Sequence, residues 1–201
     1  GPPDRLSGRL GSTTETCNTY NMLKLTRHLF RWDPRPRYFD YYERALYGHI
    51  LAHQHPETGM FVYKGFLGMP ARKEFSTPFD SFWCCVGTGM ENHARHGECV
   101  YYQDDAGLFV NLFVASELAW REKGVTIRQE TRFPDEGATR LVVAGDRPAR
   151  FALRVRHAIG IAVHRLQAVG RPIGIRVDVR HTAAARAGLG LRRVFRAAVA
   201  G

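Results

Sequence analysis

The sequence has no uninterrupted apolar run approaching the ~18–20 residues of a membrane-spanning helix, so a helical integral membrane protein is excluded. Its opening, Gly1-Pro2-Pro3-Asp4, has neither the basic start nor the apolar stretch of a secretory leader, and it has no initiator Met. We therefore expect a piece of a longer chain, bacterial in origin, with its compartment (cytoplasmic or exported) left open. Cysteine is scarce, four in 201 residues, which is far from the framework of a small disulfide-stapled domain. No Cys-x-x-Cys pair is present either. Wholesale disorder is excluded by 44% hydrophobic and 24% charged residues, and the length suffices for one good core or two small ones.

The net charge of +10 invites a nucleic-acid reading until it is located along the chain. From Arg150 onward there are eleven Arg, no Lys and one acid, Asp178, so the whole excess lies there. Residues 1–149 hold 18 basic and 18 acidic side chains and are neutral. A phosphate-binding surface interleaves basic and aromatic residues over a folded face, and a segregated tail is not that pattern. Nucleic acid is therefore not an expected partner, nor is a membrane.

Three zones follow one another. Residues 1–103 read as helices joined by loops. Ser12-Thr13-Thr14-Glu15 has capping-box spacing ahead of a helix to about Phe30, with Met22, Leu25 and Leu29 near one face. Trp32-Asp33-Pro34-Arg35-Pro36 breaks it, and a second helix, about Tyr38 to Gln54, is expected to bury Tyr41, Ala45, Leu46 and Ile50. A third helix is expected from near Thr88 to about Tyr101. After the turn Asp104-Asp105-Ala106-Gly107 the period changes. Leu108–Val114, Val125–Thr131, Thr139–Val143 and Phe151–Val155 are spaced like antiparallel strands, with Pro134-Asp135-Glu136-Gly137 as a hairpin connection. Helices followed by strands predict an α + β multidomain chain, with the strands in 104–156. Residues 157–201 lack Lys, Glu, Trp, Tyr and Cys and hold no period for long; the composition suits a poorly ordered tail, a basic amphipathic segment or a frame-shifted translation.

The chemistry concentrates in the cysteines. Vicinal thiols such as Cys84-Cys85 pair with one another only at the cost of strain, and in a Gly-flanked loop they more often point at a shared partner, for which a soft metal is suited. Glu15-Thr16-Cys17 supplies a carboxylate and a thiol at a helix start, where the positive end of the dipole favours anions. Together these make a Cys3Glu zinc site one reading of the sequence. Other readings stand beside it. Glu15 could serve only the capping box, and Cys17 could be a small core residue, as Cys99 is expected to be. His93 and His96 have a spacing compatible with metal but suit a solvated or core role better.

The run Glu15-Thr16-Cys17-Asn18-Thr19-Tyr20-Asn21-Met22-Leu23-Lys24-Leu25-Thr26-Arg27 is long and distinctive. With Phe82-Trp83-Cys84-Cys85-Val86-Gly87-Thr88-Gly89-Met90-Glu91-Asn92-His93, it resembles glycoside hydrolase families 127 and 146, the zinc- and cysteine-dependent β-L-arabinofuranosidases. The resemblance covers roughly residues 1–155. It implies an (α/α)6-barrel catalytic domain, its C-terminal part in residues 1–103, followed by the start of an antiparallel β-sandwich. It also implies a retaining glycosidase acting on arabinose-containing oligosaccharides, with zinc held by Glu15, Cys17, Cys84 and Cys85. Cys84 would be the nucleophile, and Glu43 and Tyr63 would contact the sugar.

The chain departs from the family in two respects. The family's acid/base glutamate precedes the Glu-x-Cys helix, whereas residues 1–14 contain Asp4 and no Glu. Fewer than half of the barrel's helices fit in residues 1–103. An incomplete hydrolase is therefore expected. The two competing classes are a non-catalytic, zinc-stabilised carbohydrate-binding module and a basic interaction protein acting through its Arg-rich tail.

Overall fold

The computed structural model describes residues 12–66, 72–157, 162–170 and 173–181. The chain divides into two compact units, Gly1–Gly97 and Glu98–Gly201. Among the described residues no helix is long and apolar enough to cross a membrane.

The first unit opens with strand β1 (Ser12–Glu15), which pairs antiparallel with β2 (Lys64–Phe66) and runs directly into helix α1 (Thr16–Trp32). The expected capping box is thus replaced by a strand-to-helix junction. Glu15 holds the N-cap position in extended conformation and makes no side-chain cap bond. The inner stripe of α1 is Thr16, Tyr20, Leu23, Thr26 and Phe30, a spacing of three and four that lines one helical face. Met22 and Leu25, expected on that face, are exposed. The stripe is one residue out of phase with the expected one because Tyr20 and Phe30, with the larger rings, take the inside.

Pro36 starts helix α2 (Pro36–Ala45), a position where its missing N–H costs nothing. The helix continues without a break through a π-helical turn, Leu46–Ile50, and a 3-10 turn, Leu51–His53. Phe39, Tyr42, Leu46, Ile50 and His53 are buried along it. Tyr41, expected inside, is exposed, and Ala45 is only half-buried. Phe30 meets Phe39 edge-on at 4.9 Å, fixing α1 against α2. Helix α3 (Cys84–Ala94) begins four residues earlier than the periodicity suggests. It ends well before Tyr101, which opens a strand.

Among its described residues the second unit holds two four-stranded sheets. One has the order β10 (Ile173–His181), β8 (Ala149–His157), β4 (Gly107–Val110), β3 (Tyr101–Asp104). The other has the order β5 (Ser116–Trp120), β6 (Val125–Thr131), β7 (Ala138–Gly145), β9 (Ala162–Gly170). Pairs β3–β4, β5–β6 and β6–β7 are antiparallel, of which β6–β7 joins two strands that the sequence spacing predicts; Phe151–Val155, expected to be antiparallel, lies in β8, which is parallel to both its neighbours. Pairs β4–β8, β8–β10 and β7–β9 are parallel. After β7 the chain alternates between the two sheets, so each new strand arrives by a crossover instead of a hairpin. Strands β9 and β10 lie in the stretch expected to lack periodic structure; that expectation for residues 182–201 lies outside the described residues, as does Asp4.

Leu108, Val110, Phe151, Leu153 and Val155 of one sheet and Trp120, Val125, Ile127, Leu141 and Val143 of the other form one buried cluster. Trp120 meets Phe151 edge-on at 5.0 Å across it. Leu153 is completely inaccessible to solvent within this cluster. Truncating it leaves a cavity that rigid sheets cannot close. Leu153→Ala should therefore cost about 2–5 kcal/mol in a urea unfolding curve.

Candidate metal centre

The junction between β1 and α1 places Glu15 at the N-cap and Cys17 in the first turn of α1. The extended Trp83 leads into α3, so Cys84 and Cys85 are its first two residues. Both helix starts present unpaired N–H groups and the positive end of the helix dipole, which favour anionic side chains. The structure brings these two starts together. One ligand atom from each of Glu15, Cys17, Cys84 and Cys85 lies within 4.8 Å of every other. Cys84 is exposed, Cys85 buried, and Glu15 and Cys17 lie between those extremes; none of the four cysteines is in a disulfide.

The Sγ atoms of Cys17 and Cys85 are 3.2 Å apart. Zinc–sulfur bonds of about 2.3 Å at tetrahedral angles separate bound sulfurs by about 3.8 Å, wider than this pair and inside the 4.8 Å reach of the four donor atoms, so a carboxylate and three sulfurs fit zinc in donor type, with the Cys17 and Cys85 sulfurs moving apart to take it. Burial pushes the Cys17 thiol up to about 12, with the Thr88 hydroxyl opposing and the Cys85 and Cys84 thiols reinforcing it. A cation joining the cluster would favour loss of that proton.

Several neighbours hold this arrangement; sequence reasoning named Tyr63 among them, as a sugar contact, and did not assign a role to Thr88 or Trp83. The Thr88 hydroxyl donates to the Cys84 carbonyl oxygen (3.1 Å) and sits 3.2 Å from Cys17 Sγ, tying α3 to α1. Its position one helical turn beyond Cys84 was the available signal. Cys85 Sγ donates to the carbonyl oxygen of Tyr63 at 3.4 Å. The Tyr63 ring stacks on Trp83 with 5.8 Å between centroids. The Tyr63 phenol is raised, first by the Glu15 carboxylate and then by Cys84. Glu43 is not one of the converging donors. It is buried on α2, and its charge, after burial, raises the Tyr47 phenol. His93 bonds the Gly89 carbonyl through Nδ1 at 2.8 Å and packs against His96 and Phe61, away from the four donors. Cys99 is buried, as expected.

Beneath β1 and β2 lies a second cluster. His49 Nδ1 and the Thr19 hydroxyl are 2.6 Å apart, and the His49 and His53 rings meet at 4.4 Å. A Cβ on Gly65, the residue paired with Thr14, would lie 2.3 Å from Thr14 Oγ1 and 2.6 Å from His53 Nε2. Only glycine lets the strand carrying Glu15 approach this closely. Gly89 plays the same part for α3, since a Cβ there would lie 2.5 Å from the Phe61 ring.

Two outcomes follow. Gly65→Ala should lose about 1–3 kcal/mol by overpacking, while Gly48→Ala, with open space around its Cα, should lose nothing; paired thermal melts check this. His53 is lowered from 6.5 to about 4 by burial first, and then by His49 and by Lys73, which donates to the Ala52 carbonyl. The unfolded chain takes up this proton below 6.5 and the folded chain only near 4. Stability from the neutral ring is therefore complete above 6.5 and is lost as pH falls through 4. Urea midpoints measured across that window should fall less steeply for His53→Gln.

A family model for the β-L-arabinofuranosidase GH127 catalytic domain matches residues 1–98, and one for the GH127 middle domain matches residues 107–185. Compared with curated proteins, the sequence has no match. Among solved structures, a GH127 β-L-arabinofuranosidase from Geobacillus stearothermophilus T6 is 26% identical with a TM-score of 0.58. That alignment covers 68% of this chain and 23% of the other. A second structure, described as a glycoside hydrolase, is 21% identical with a TM-score of 0.56, covering 65% and 23% respectively, and is similar in fold. The chain thus spans less than a quarter of the length of either. With matches to both GH127 domains running along it in order, the chain belongs to the GH127 β-L-arabinofuranosidase family.

Proposed function

We propose that this chain carries the nucleophile and metal site of a retaining glycoside hydrolase acting on L-arabinose-containing glycans. In this reading α1–α3 are part of an (α/α)6 barrel, and the second unit is the beginning of a β-sandwich. The observation that supports it most is the convergence of Glu15, Cys17, Cys84 and Cys85 at two helix N-termini. These four residues would hold zinc, which when bound keeps cysteine sulfur as thiolate at neutral pH.

Cys84 is the exposed thiol of the three and hence the one a sugar can reach. Its sulfur attacks the anomeric carbon while the glycosidic C–O bond breaks, forming a glycosyl-enzyme that water then hydrolyses with net retention. The buried Cys85 and half-buried Cys17 orient the cluster from behind. Tyr63, beside Glu15 and Cys84, offers a phenol and a ring face to the arabinose, and Glu43 is assigned to a sugar hydroxyl. The leaving oxygen needs a proton, and general-acid help is commonly worth ~10²–10⁴-fold. Residues 1–14 supply no Glu for it, so an activated aryl leaving group is the suitable probe of Cys84.

Metal analysis of the reduced protein should find one zinc per chain, and Cys17→Ser should lose it. Release of phenol from an aryl β-L-arabinofuranoside should fall roughly 10³-fold or more in Cys84→Ser. Zinc with no Cys84-dependent turnover would instead favour a zinc-stabilised carbohydrate-binding module, and no zinc would reject the metal assignment.

A further inference from the structure

The sulfurs of Cys17 and Cys85 stand 3.2 Å apart, closer than the about 3.8 Å edge of a tetrahedral zinc–thiolate site and farther than the about 2.05 Å of a disulfide. They come from the first turns of two different helices, 68 residues apart in sequence, and both are free. The third thiol, Cys84, is adjacent to Cys85 in the chain, where ring closure is strained, and it is the exposed member of the group. The fourth, Cys99, is buried and is not part of the donor group.

From this geometry we infer that Cys17 and Cys85 form an oxidisable dithiol, and that a Cys17–Cys85 disulfide and a bound metal are mutually exclusive states of one site. The competition with metal rests on the zinc reading above; the dithiol rests on the sulfur geometry alone. The oxidant is a small peroxide. Hydrogen peroxide converts the more open thiol, Cys17, to the sulfenic acid and releases one water. The Cys85 sulfur then attacks that sulfur, its proton leaves with the hydroxyl as a second water, and the S–S bond closes. Two thiols lose two electrons and two hydrogens in all, and one peroxide becomes two waters.

The disulfide would consume two of the three sulfur donors and leave Cys84 and Glu15, too few to hold zinc. Cys84 would remain a thiol but without the cation proposed to keep it ionised. Oxidation at a pair the sugar does not touch would thus switch off the residue that it does. Reduction of the disulfide by a thiol would restore the donor set.

The test treats the full reduced chain, stripped of metal by a chelator, with hydrogen peroxide, traps remaining thiols by alkylation and maps peptides without reduction. The expected product is a cross-link between the Cys17 and Cys85 peptides, with Cys84 and Cys99 alkylated and the intact mass, read before alkylation, lower by two hydrogens. A Cys17–Cys84 or Cys84–Cys85 link, oxygen added to Cys84 alone, or four alkylated cysteines would each overturn the inference. Preloading with zinc at about ten times its Kd should slow cross-linking roughly tenfold. Cross-linking at an unchanged rate would reject the metal reading while leaving the dithiol standing, and bound zinc without any cross-link after stripping would do the reverse. Cys99→Ser should leave the cross-link unchanged and Cys17→Ser should abolish it. The wild-type map decides even if Cys17→Ser does not fold.

Discussion

The first unit is organised by one constraint: two helices must begin at the same place. The N-terminus of α1 carries Glu15 and Cys17, and that of α3 carries Cys84 and Cys85. Four groups that can each become an anion are costly to gather, and burial already drives the Cys17 thiol up to about 12. Two helix starts lower that cost because their N–H groups and dipoles face the cluster. The surrounding details serve the same end. The short β1–β2 pair fixes where α1 starts, Gly65 lets that pair lie close to His53, and the Thr88 hydroxyl ties the two helix starts to one another.

The site was far more legible in the sequence than the fold around it. A vicinal cysteine pair and a Glu-x-Cys pair raise a shared metal as one reading before any geometry, and the family resemblance of the motifs around them narrows it to these four residues. The structure brings all four donors within one coordination sphere's reach. The partners that hold them were not legible, because Thr88, His49 and His53 are ordinary residue types whose role depends on which helices meet.

Helix existence could be read, but helix phase and ends could not. Met22 and Leu25 are apolar and suggest an inner face, yet the larger Tyr20 and Phe30 decide which way α1 turns. Ser12 to Glu15 have capping-box chemistry but pair with β2, because a tertiary partner outweighs a local cap bond. In the second unit, β6, β7 and β8 were visible as alternating apolar runs. Strand β5 was not, since its Ser-Glu-Leu-Ala-Trp sequence places only one residue fully inside. Strands β9 and β10 were hidden by Arg-rich composition, although β8 and β7 offer them edges with which to pair.

The central claim is that a carboxylate and three sulfurs share one zinc ion. Zinc K-edge X-ray absorption on the purified, reduced chain tests it most directly. The account predicts a four-coordinate ion with three sulfurs at about 2.3 Å and one oxygen at about 2.0–2.2 Å. A coordination shell of nitrogen and oxygen alone, or one with a single sulfur, would contradict it.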